Sequence, residues 1–154
     1  AGFVERHSPG EVIGDCLPLV QHLLNKADIE VARESQARRL ILMNRTELQQ
    51  VVVNLMVNAL HAMPGSGTLT LIDEDFDRNG KPGIRISIRD TGTGMSQDIL
   101  GRIFDPFYTT KRREGTGLGL SISKTLIDRQ GGAMAVESEP GKGTLFTIWL
   151  PEAD

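Results

Sequence analysis

One predicted helix constrains the fold of this chain more than any other segment, because both its length and its two faces are visible in the sequence. Asn44 is a suitable N-cap, and Glu47 stands three positions later, where a capping box places its reciprocal partner. Pro64 and Gly65 end the helix. Apolar side chains recur at steps of three and four and predict the stripe that packs in the core: Leu48, Val52, Leu55, Met56, Ala59 and Met63.

A polar stripe runs along another face of the same helix. Taken alone, such a stripe is most often a solvated surface, so its meaning depends on what the rest of the chain places beside it. The members are separated by three or four positions and therefore project together: Glu47, Gln50, Asn54, Asn58 and His61.

The other segments predict an α/β fold. A helix is expected over residues 11–26, although Pro18 removes one helical hydrogen bond. Another is expected over residues 118–130, where Gly131 and Gly132 terminate it. Because the helices bunch against strands that mostly neighbour each other, we predict a two-layer α/β sandwich, a mixed sheet covered on one face by helices. The strands are predicted at residues 29–31, 39–43, 68–73, 84–89, 133–137 and 144–150.

The predicted domain covers residues 11–154. Residues 1–10 indicate a tail or linker, with a break at Ser8-Pro9-Gly10. A length of 154 residues is sufficient for one domain with its own core.

Composition excludes several classes of protein. The net charge of −3 disfavours binding to nucleic acid or to an anionic membrane, which usually involves a basic patch. The apolar runs are too short to span a bilayer, so we expect no membrane contact by this segment. The single cysteine, Cys16, excludes an internal disulfide and a cysteine-based metal site. We expect a cytoplasmic location.

A glycine-containing turn, Asp90-Thr91-Gly92-Thr93-Gly94, follows the fourth predicted strand. An ionised carboxylate accepts hydrogen bonds and donates none. Adenine presents an amino group where guanine presents an oxygen, so a fixed carboxylate at Asp90 favours adenine. Gly92 and Gly94 allow the backbone to approach a base closely or to adopt a positive φ. A turn without any ligand is the alternative, since aspartate and glycine are common turn residues.

A second glycine-rich segment, Gly115-Thr116-Gly117-Leu118-Gly119-Leu120, precedes or opens the last predicted helix. Free backbone N–H groups and the positive end of a helix dipole suit a phosphate there. The amide oxygens of Asn54 and Asn58 suit a magnesium ion that keeps phosphate oxygens and water as its other ligands. His61 can donate to a phosphate oxygen.

The long segment between Met95 and Gly115 shows little periodicity, which is typical of a functional lid or of a disordered loop. Gly94 and Gly115 suit the hinges of a lid.

Two other motifs do not match the binding sites that they resemble. Residues 141–144 lack the pattern of a P-loop, and the EF-hand-like start at residues 75–80 has Ile86 where the twelfth position requires glutamate. We expect a hairpin turn at residues 141–144 and a polar turn between strands at residues 75–80.

In this order the motifs resemble the catalytic, ATP-binding domain of sensor histidine kinases, in the GHKL ATPase superfamily. The resemblance covers residues 11–151, and it marks residues 96–114 as an ATP lid whose Phe104 and Phe107 dock on the domain or on a partner helix. The lid is similar to that of the nitrogen- and oxygen-sensing branch. The four family boxes are identified at residues 48–59 (N box), 90–94 (G1 box), 104–111 (F box) and 115–120 (G2 box).

The resemblance implies ATP and Mg²⁺ as cofactors and assigns roles to residues. Asn58 would hold Mg²⁺, with Asn54 as a neighbour or second ligand. His61 and Lys111 would contact phosphates. The implied catalytic residues are therefore Asn54, Asn58, His61 and Lys111. Asp90 would bind the adenine amino group. The other residues of the nucleotide site would be Gly92, Gly94, Met95, Tyr108, Gly115, Thr116, Gly117, Leu118, Gly119, Leu120 and Thr144.

The resemblance also implies the reaction and the partners. The γ-phosphoryl group would pass to a histidine on a separate helical dimerisation domain, and from there a response regulator would receive it. Members that hydrolyse ATP carry a glutamate one helical turn before the metal asparagine. Asn54 occupies that position and cannot remove a proton at neutral pH, which favours transfer over hydrolysis.

The phosphoacceptor motif of the family, His-Asp or His-Glu, is absent from this sequence. None of the three histidines, His7, His22 and His61, is followed by aspartate or glutamate. We therefore expect residues 1–10 to follow a phosphoacceptor hairpin outside this chain, and we expect little or no autophosphorylation. The alternatives are a GHKL ATPase that couples hydrolysis to conformational change, a degenerate nucleotide-binding module, and a serine kinase of the anti-sigma type.

Overall fold

The computed structural model describes residues 4–106 and 119–154, and they form two layers. Five strands make one mixed sheet in the order β2-β4-β5-β7-β6, in which β2 and β4 are parallel and the other pairs antiparallel. The predicted sandwich is confirmed. In chain order the elements are β1 (Val4–His7), α1 (Pro9–Lys26), β2 (Ile29–Ser35), β3 (Ile41–Asn44), α2 (Arg45–Ala62), β4 (Gly67–Asp75), β5 (Gly83–Asp90), α3 (Gln97–Leu100), α4 (Gly119–Arg129), β6 (Ala133–Glu139) and β7 (Gly143–Pro151).

Helix α2 is the central element of the helical layer. The chain leaves β2 and returns through α2 to β4, and a parallel strand pair requires such a crossover. The Asn44 side chain accepts a hydrogen bond from the Glu47 N–H at 2.9 Å, which confirms the predicted cap. All residues of the predicted apolar stripe are buried, and so is Val51. Helix α2 contacts both α1 and α4 and lies beside both of them in the helical layer.

The N-terminal segment is folded, and the prediction of a linker through Gly10 was wrong for the part that the structure describes. Strand β1 pairs antiparallel with β3 in a separate two-stranded sheet. The Ser8 hydroxyl caps α1, which begins at Pro9 and not at Glu11. A proline fits the first helical turn because the N–H that it lacks has no partner there. The partner of β1 is distant in the sequence, so local patterns do not indicate it.

Helix α1 continues through Pro18 without interruption. Pro18 lies on the exposed side of the helix, and the opposite side packs in the core. That packing outweighs the loss of one helical hydrogen bond. Within residues 4–106 and 119–154, no helix is both long and apolar enough to cross a membrane.

The segment between β2 and β3 differs from the predicted strand over residues 39–43, since β3 begins at Ile41. The backbone N–H groups of Arg38 and Arg39 both donate to Asp75 Oδ1, at 3.0 Å each, and therefore do not pair with a strand. Arg39 also donates to the Asp77 carboxylate at 2.6 Å. These contacts engage both carboxylates of the EF-hand-like segment, so the expected polar turn is confirmed.

Replacing Leu55 with alanine tests the role of α2. Leu55 is 1% exposed, so its truncation is expected to lower the free energy of unfolding by roughly 2–5 kcal/mol, through lost burial and the cavity that remains. Urea denaturation measures the change. Leu19→Ala in α1 is the control, because Leu19 is 66% exposed and its truncation is expected to change stability by roughly 0.5 kcal/mol or less. Equal losses in the two variants would contradict a core centred on α2.

Candidate functional site

Asp90 is a buried carboxylate at the end of β5, and its two oxygens have different surroundings. The residue is 5% exposed. Oδ1 accepts hydrogen bonds from the backbone N–H of Gly92 at 2.8 Å and of Thr144 at 3.2 Å. No residue in the described ranges donates a hydrogen bond to Oδ2. Burial raises the pKa of Asp90, and the two backbone donors oppose that shift without cancelling it.

The turn after Asp90 lies between the end of α2 and the turn that joins β6 to β7. The Thr93 N–H donates to the Ala62 carbonyl at 2.9 Å, and the Gly141 N–H donates to the Thr93 carbonyl at 2.7 Å. A Cβ at Gly92 would collide with the Ala62 carbonyl. Gly94 has a φ of +71°, and a Cβ there would collide with a carbonyl of the β6–β7 turn. The predicted positive φ is confirmed at Gly94, and both glycines approach protein backbone closely. The predicted close approach to a base stays a prediction.

Ser138 connects this turn to β7. Its hydroxyl oxygen lies 2.8 Å from the Met95 backbone nitrogen, 2.9 Å from the Gly143 carbonyl oxygen and 2.8 Å from Thr144 Oγ1. Thr144 is 6% exposed and stands directly opposite Asp90 in the β5–β7 pair. The structure therefore brings Asp90, Gly92, Gly94, Met95 and Thr144 together.

The polar stripe of α2 meets the beginning of α4. Asn54 Nδ2 donates to the hydroxyl of Ser123, a residue of α4 that is 2% exposed, at 3.3 Å. The Asn54 carboxamide also leaves no room for a Cβ at Gly119, because Oδ1 would lie 2.6 Å away. Asn58 and His61 continue the same stripe toward the end of α2 and are half-buried. Asn54 and Gly119 thus lie where α2 approaches the start of α4, and Asn58 and His61 follow further along α2.

The first part of the predicted lid is folded onto the domain. The Ser96 hydroxyl caps the short helix α3. Ile103 is 5% exposed and belongs to the core, and Phe104 packs against that core beneath Lys124, whose Nζ lies 6.0 Å from the ring centroid. Residues 96–106 thus have tertiary contacts that a loop prediction from periodicity does not include. The assignment of residues 96–114 as an ATP lid stays a prediction. Phe104 docks on its own domain.

Several predicted site residues lie outside the described residues. Leu120 is described, opens α4 together with Gly119 and packs against the core. Those outside the described ranges are Phe107, Tyr108, Lys111, Gly115, Thr116, Gly117 and Leu118.

Comparison with known proteins identifies the family and the fold. Residues 43–154 match the family model described as histidine kinase-, DNA gyrase B-, and HSP90-like ATPase. The chain belongs to this family. The sensor histidine kinase ZraS of Salmonella typhi is 38% identical over 141 residues, which are 86% of this chain and 30% of that protein. Sporulation kinase D of Bacillus subtilis (strain 168) is 35% identical over 149 residues, 96% of this chain and 28% of that protein.

Solved structures agree with the sequence relatives. The nucleotide-free catalytic domain of the histidine kinase ThkA has a TM-score of 0.86 and 26% identity, covering 97% of this chain and 96% of that one. Full-length ShkA in complex with AMPPNP has a TM-score of 0.84 and 28% identity, covering 99% of this chain and 32% of that one. This is a histidine kinase-type ATPase catalytic domain, and it spans 30% and 28% of the length of the two sequence relatives above.

Two serines of this ATPase domain were not predicted as site residues. Ser123 holds Asn54, and Ser138 holds Thr144 and Met95. Ser138 could have been found by aligning the two strands of the last hairpin about its turn, since it is the register partner of Thr144. No local pattern indicates Ser123, because its partner lies on a different helix.

Replacing Asp90 with asparagine tests how far the buried charge of Asp90 lowers the free energy of unfolding. Because the native pKa of Asp90 is raised, the folded chain binds this proton more tightly than the unfolded chain does, and the ionised carboxylate destabilises the native state at neutral pH. That cost disappears as the pH falls through the raised pKa toward the ordinary value of about 3.9. Asparagine keeps an acceptor oxygen and carries no charge. We expect Asp90→Asn to be at least as stable as the wild type at pH 7, with an advantage that shrinks on acidification.

Urea denaturation between about pH 4 and pH 7 measures this difference. Asp105→Asn, at an exposed position, is the matched control for removal of a carboxylate. A lower stability of Asp90→Asn than of the wild type at neutral pH would mean that the ionised carboxylate stabilises the fold.

Proposed function

We propose that this domain binds Mg-ATP and presents the γ-phosphoryl group for transfer to a histidine on a separate helical domain. The observation that carries the proposal is the arrangement at Asp90, where Oδ1 is held by two backbone donors and Oδ2 has no donor among the described residues. The relatives named above are sensor and sporulation kinases, which supports the same class of reaction.

Asp90 would accept a hydrogen bond from the adenine amino group. The hydrogen bonds to Oδ1 fix the orientation of the carboxylate, and they thereby fix the position of Oδ2 as an acceptor. Guanine would place an oxygen against that acceptor and leave two buried polar groups unpaired. We therefore expect strong preference for ATP over GTP. Met95, Gly92, Gly94 and Thr144 would surround the base, and Tyr108 and Leu120 would complete its pocket.

The phosphates and the metal ion would lie between α2 and the start of α4. Mg²⁺ that arrives with a nucleotide keeps phosphate oxygens and water as ligands, so one or two protein oxygens suffice. Asn58, with Asn54 as its neighbour, fits that requirement. Over the described residues there is no group of three or more His, Cys, Asp or Glu side chains that could hold a metal. When bound, the ion would neutralise phosphate charge.

Other residues would contact the phosphates directly. His61 continues the stripe of Asn54 and Asn58, and Lys111 belongs to the predicted lid. Gly119 begins α4, where backbone N–H groups without helical partners suit an anion. The preceding residues of the same glycine-rich segment would extend that contact: Gly115, Thr116, Gly117 and Leu118.

Position 54 favours transfer over hydrolysis. Asn54 cannot act as a general base at neutral pH, and its amide nitrogen is engaged with Ser123. Phosphoryl transfer requires positioning and charge neutralisation more than covalent help from the protein. An external acceptor is therefore the expected destination of the phosphoryl group.

The partners would be a helical dimerisation domain that carries the phosphoacceptor histidine and a downstream response regulator. One structure similar to this chain is the kinase ThkA in complex with the response regulator TrrA, with a TM-score of 0.79 at 25% identity over 97% of this chain and 42% of that one. We propose a cytoplasmic location, where ATP and a response regulator are available.

Nucleotide titration of Asn58→Ala tests the metal assignment. Calorimetry is expected to show ATP binding by the wild type that strengthens when Mg²⁺ is added. Asn58→Ala should weaken Mg-ATP binding roughly tenfold and leave adenosine binding unchanged, because adenosine carries no phosphate to hold the ion. Gln50→Ala is the matched control, since Gln50 lies exposed on the same helix. A parallel loss of adenosine binding would show that Asn58 supports the fold of the site and not the ion.

A fusion tests the transfer reaction. The domain is joined behind a helical hairpin that carries the phosphoacceptor histidine of a related sensor kinase, and ATP labelled on its γ-phosphate is added. We expect acid-labile phosphate on the hairpin, and none when its histidine is replaced by glutamine or when Asn58→Ala is introduced. Steady release of inorganic phosphate without any labelled hairpin would favour an ATPase that drives conformational change.

A further inference from the structure

Three polar side chains form a row across the sheet at the candidate adenine site. Ser138 on β6 stands opposite Thr144 on β7, and Thr144 stands opposite Asp90 on β5. Opposite residues of an antiparallel pair project from the same face, with Cβ atoms about 4.5–5.5 Å apart. Asp90 and Thr144 are 5% and 6% exposed, so the row lies on the buried face.

The Ser138 hydroxyl has three neighbours and a single proton. The Met95 backbone nitrogen, at 2.8 Å, can only donate. The Gly143 carbonyl oxygen, at 2.9 Å, can only accept. Thr144 Oγ1, at 2.8 Å, can do either. A serine hydroxyl donates once and accepts twice.

One arrangement of protons satisfies all three contacts. The Ser138 proton goes to the Gly143 carbonyl, because that oxygen has no proton of its own to offer. One Ser138 lone pair accepts the Met95 N–H, and the other accepts the Thr144 O–H. The proton of Thr144 is thereby committed to Ser138, and Thr144 Oγ1 retains only lone pairs for any other partner.

We propose that Ser138 is a positioning residue for purine discrimination, which keeps Thr144 as a hydrogen-bond acceptor beside the acceptor Oδ2 of Asp90. The inference rests on the proposed function, nucleotide binding at Asp90. With both side chains accepting, the site disfavours a purine that carries an oxygen at carbon 6. Without the Ser138 hydroxyl, Thr144 rotates and donates, and a 6-oxo purine finds a donor.

ATP and inosine triphosphate (ITP) are the probes, because hypoxanthine has the shape of adenine and replaces its amino group with an oxygen. Dissociation constants are measured for the wild type, Ser138→Ala, Ser138→Thr, Thr144→Val and the double variant Ser138→Ala/Thr144→Val. Ser138→Ala is expected to reduce the preference for ATP over ITP by roughly five- to tenfold, about the effect of one hydrogen bond. Ser138→Thr, which keeps the hydroxyl, should restore the preference.

The double variant separates positioning from a structural effect. If Ser138 acts through Thr144, its replacement changes nothing further in the Thr144→Val background. If Ser138 only anchors the turn through Met95, its loss weakens both nucleotides alike, with or without Thr144, and the inference is overturned. An unchanged ratio in Ser138→Ala, with normal ATP binding, overturns the inference and leaves the proposed function intact. A wild type that binds neither nucleotide overturns the proposed function and this inference with it.

Discussion

The contact between the turn after β5 and the last carbonyl of α2 holds the site together. The Thr93 N–H donates to the Ala62 carbonyl at 2.9 Å, and Gly92 has no side chain to keep the two backbones apart. Through this contact the end of β5 and the end of α2 are held together. A side chain at position 92 would separate Asp90 from the end of the helix that carries the polar stripe.

The turn after β5 also buries the carboxylate of Asp90, whose charge the fold does not need for its own stability. Asp90 gains two backbone hydrogen bonds, yet burial still raises its pKa. A carboxylate in this position destabilises the native state and leaves one oxygen for a ligand. Sites that hold polar groups ready for binding commonly reduce stability in this way. The apolar stripe of α2 supplies compensating burial within the same part of the structure.

Some elements could be predicted from the sequence and others could not, because some leave a local pattern and others depend on distant contacts. The cap at Asn44, the apolar stripe of α2 and the strands next to Asp90 and Thr144 are indicated by patterns within a few residues, and all of them are confirmed. Strand β1, the anchoring of Ile103 and the contact of Ser138 with Met95 depend on residues far away along the chain. Periodicity does not report such pairings, so a linker was predicted where the structure has strand β1, and the packing of Ile103 was not predicted.

By itself the sequence determined the kinds of residue available for the site: a carboxylate at the end of a strand, amides one helical turn apart and glycines at the turns. These follow from residue identity and local spacing, which every conformation of the chain shares. Only the tertiary structure decided that Asp90 is buried with one oxygen engaged, that Asn54 is held by Ser123 and that Ser138 contacts Met95. Burial and hydrogen-bond direction arise when distant segments pack together, so they are properties of the folded arrangement and not of any segment alone.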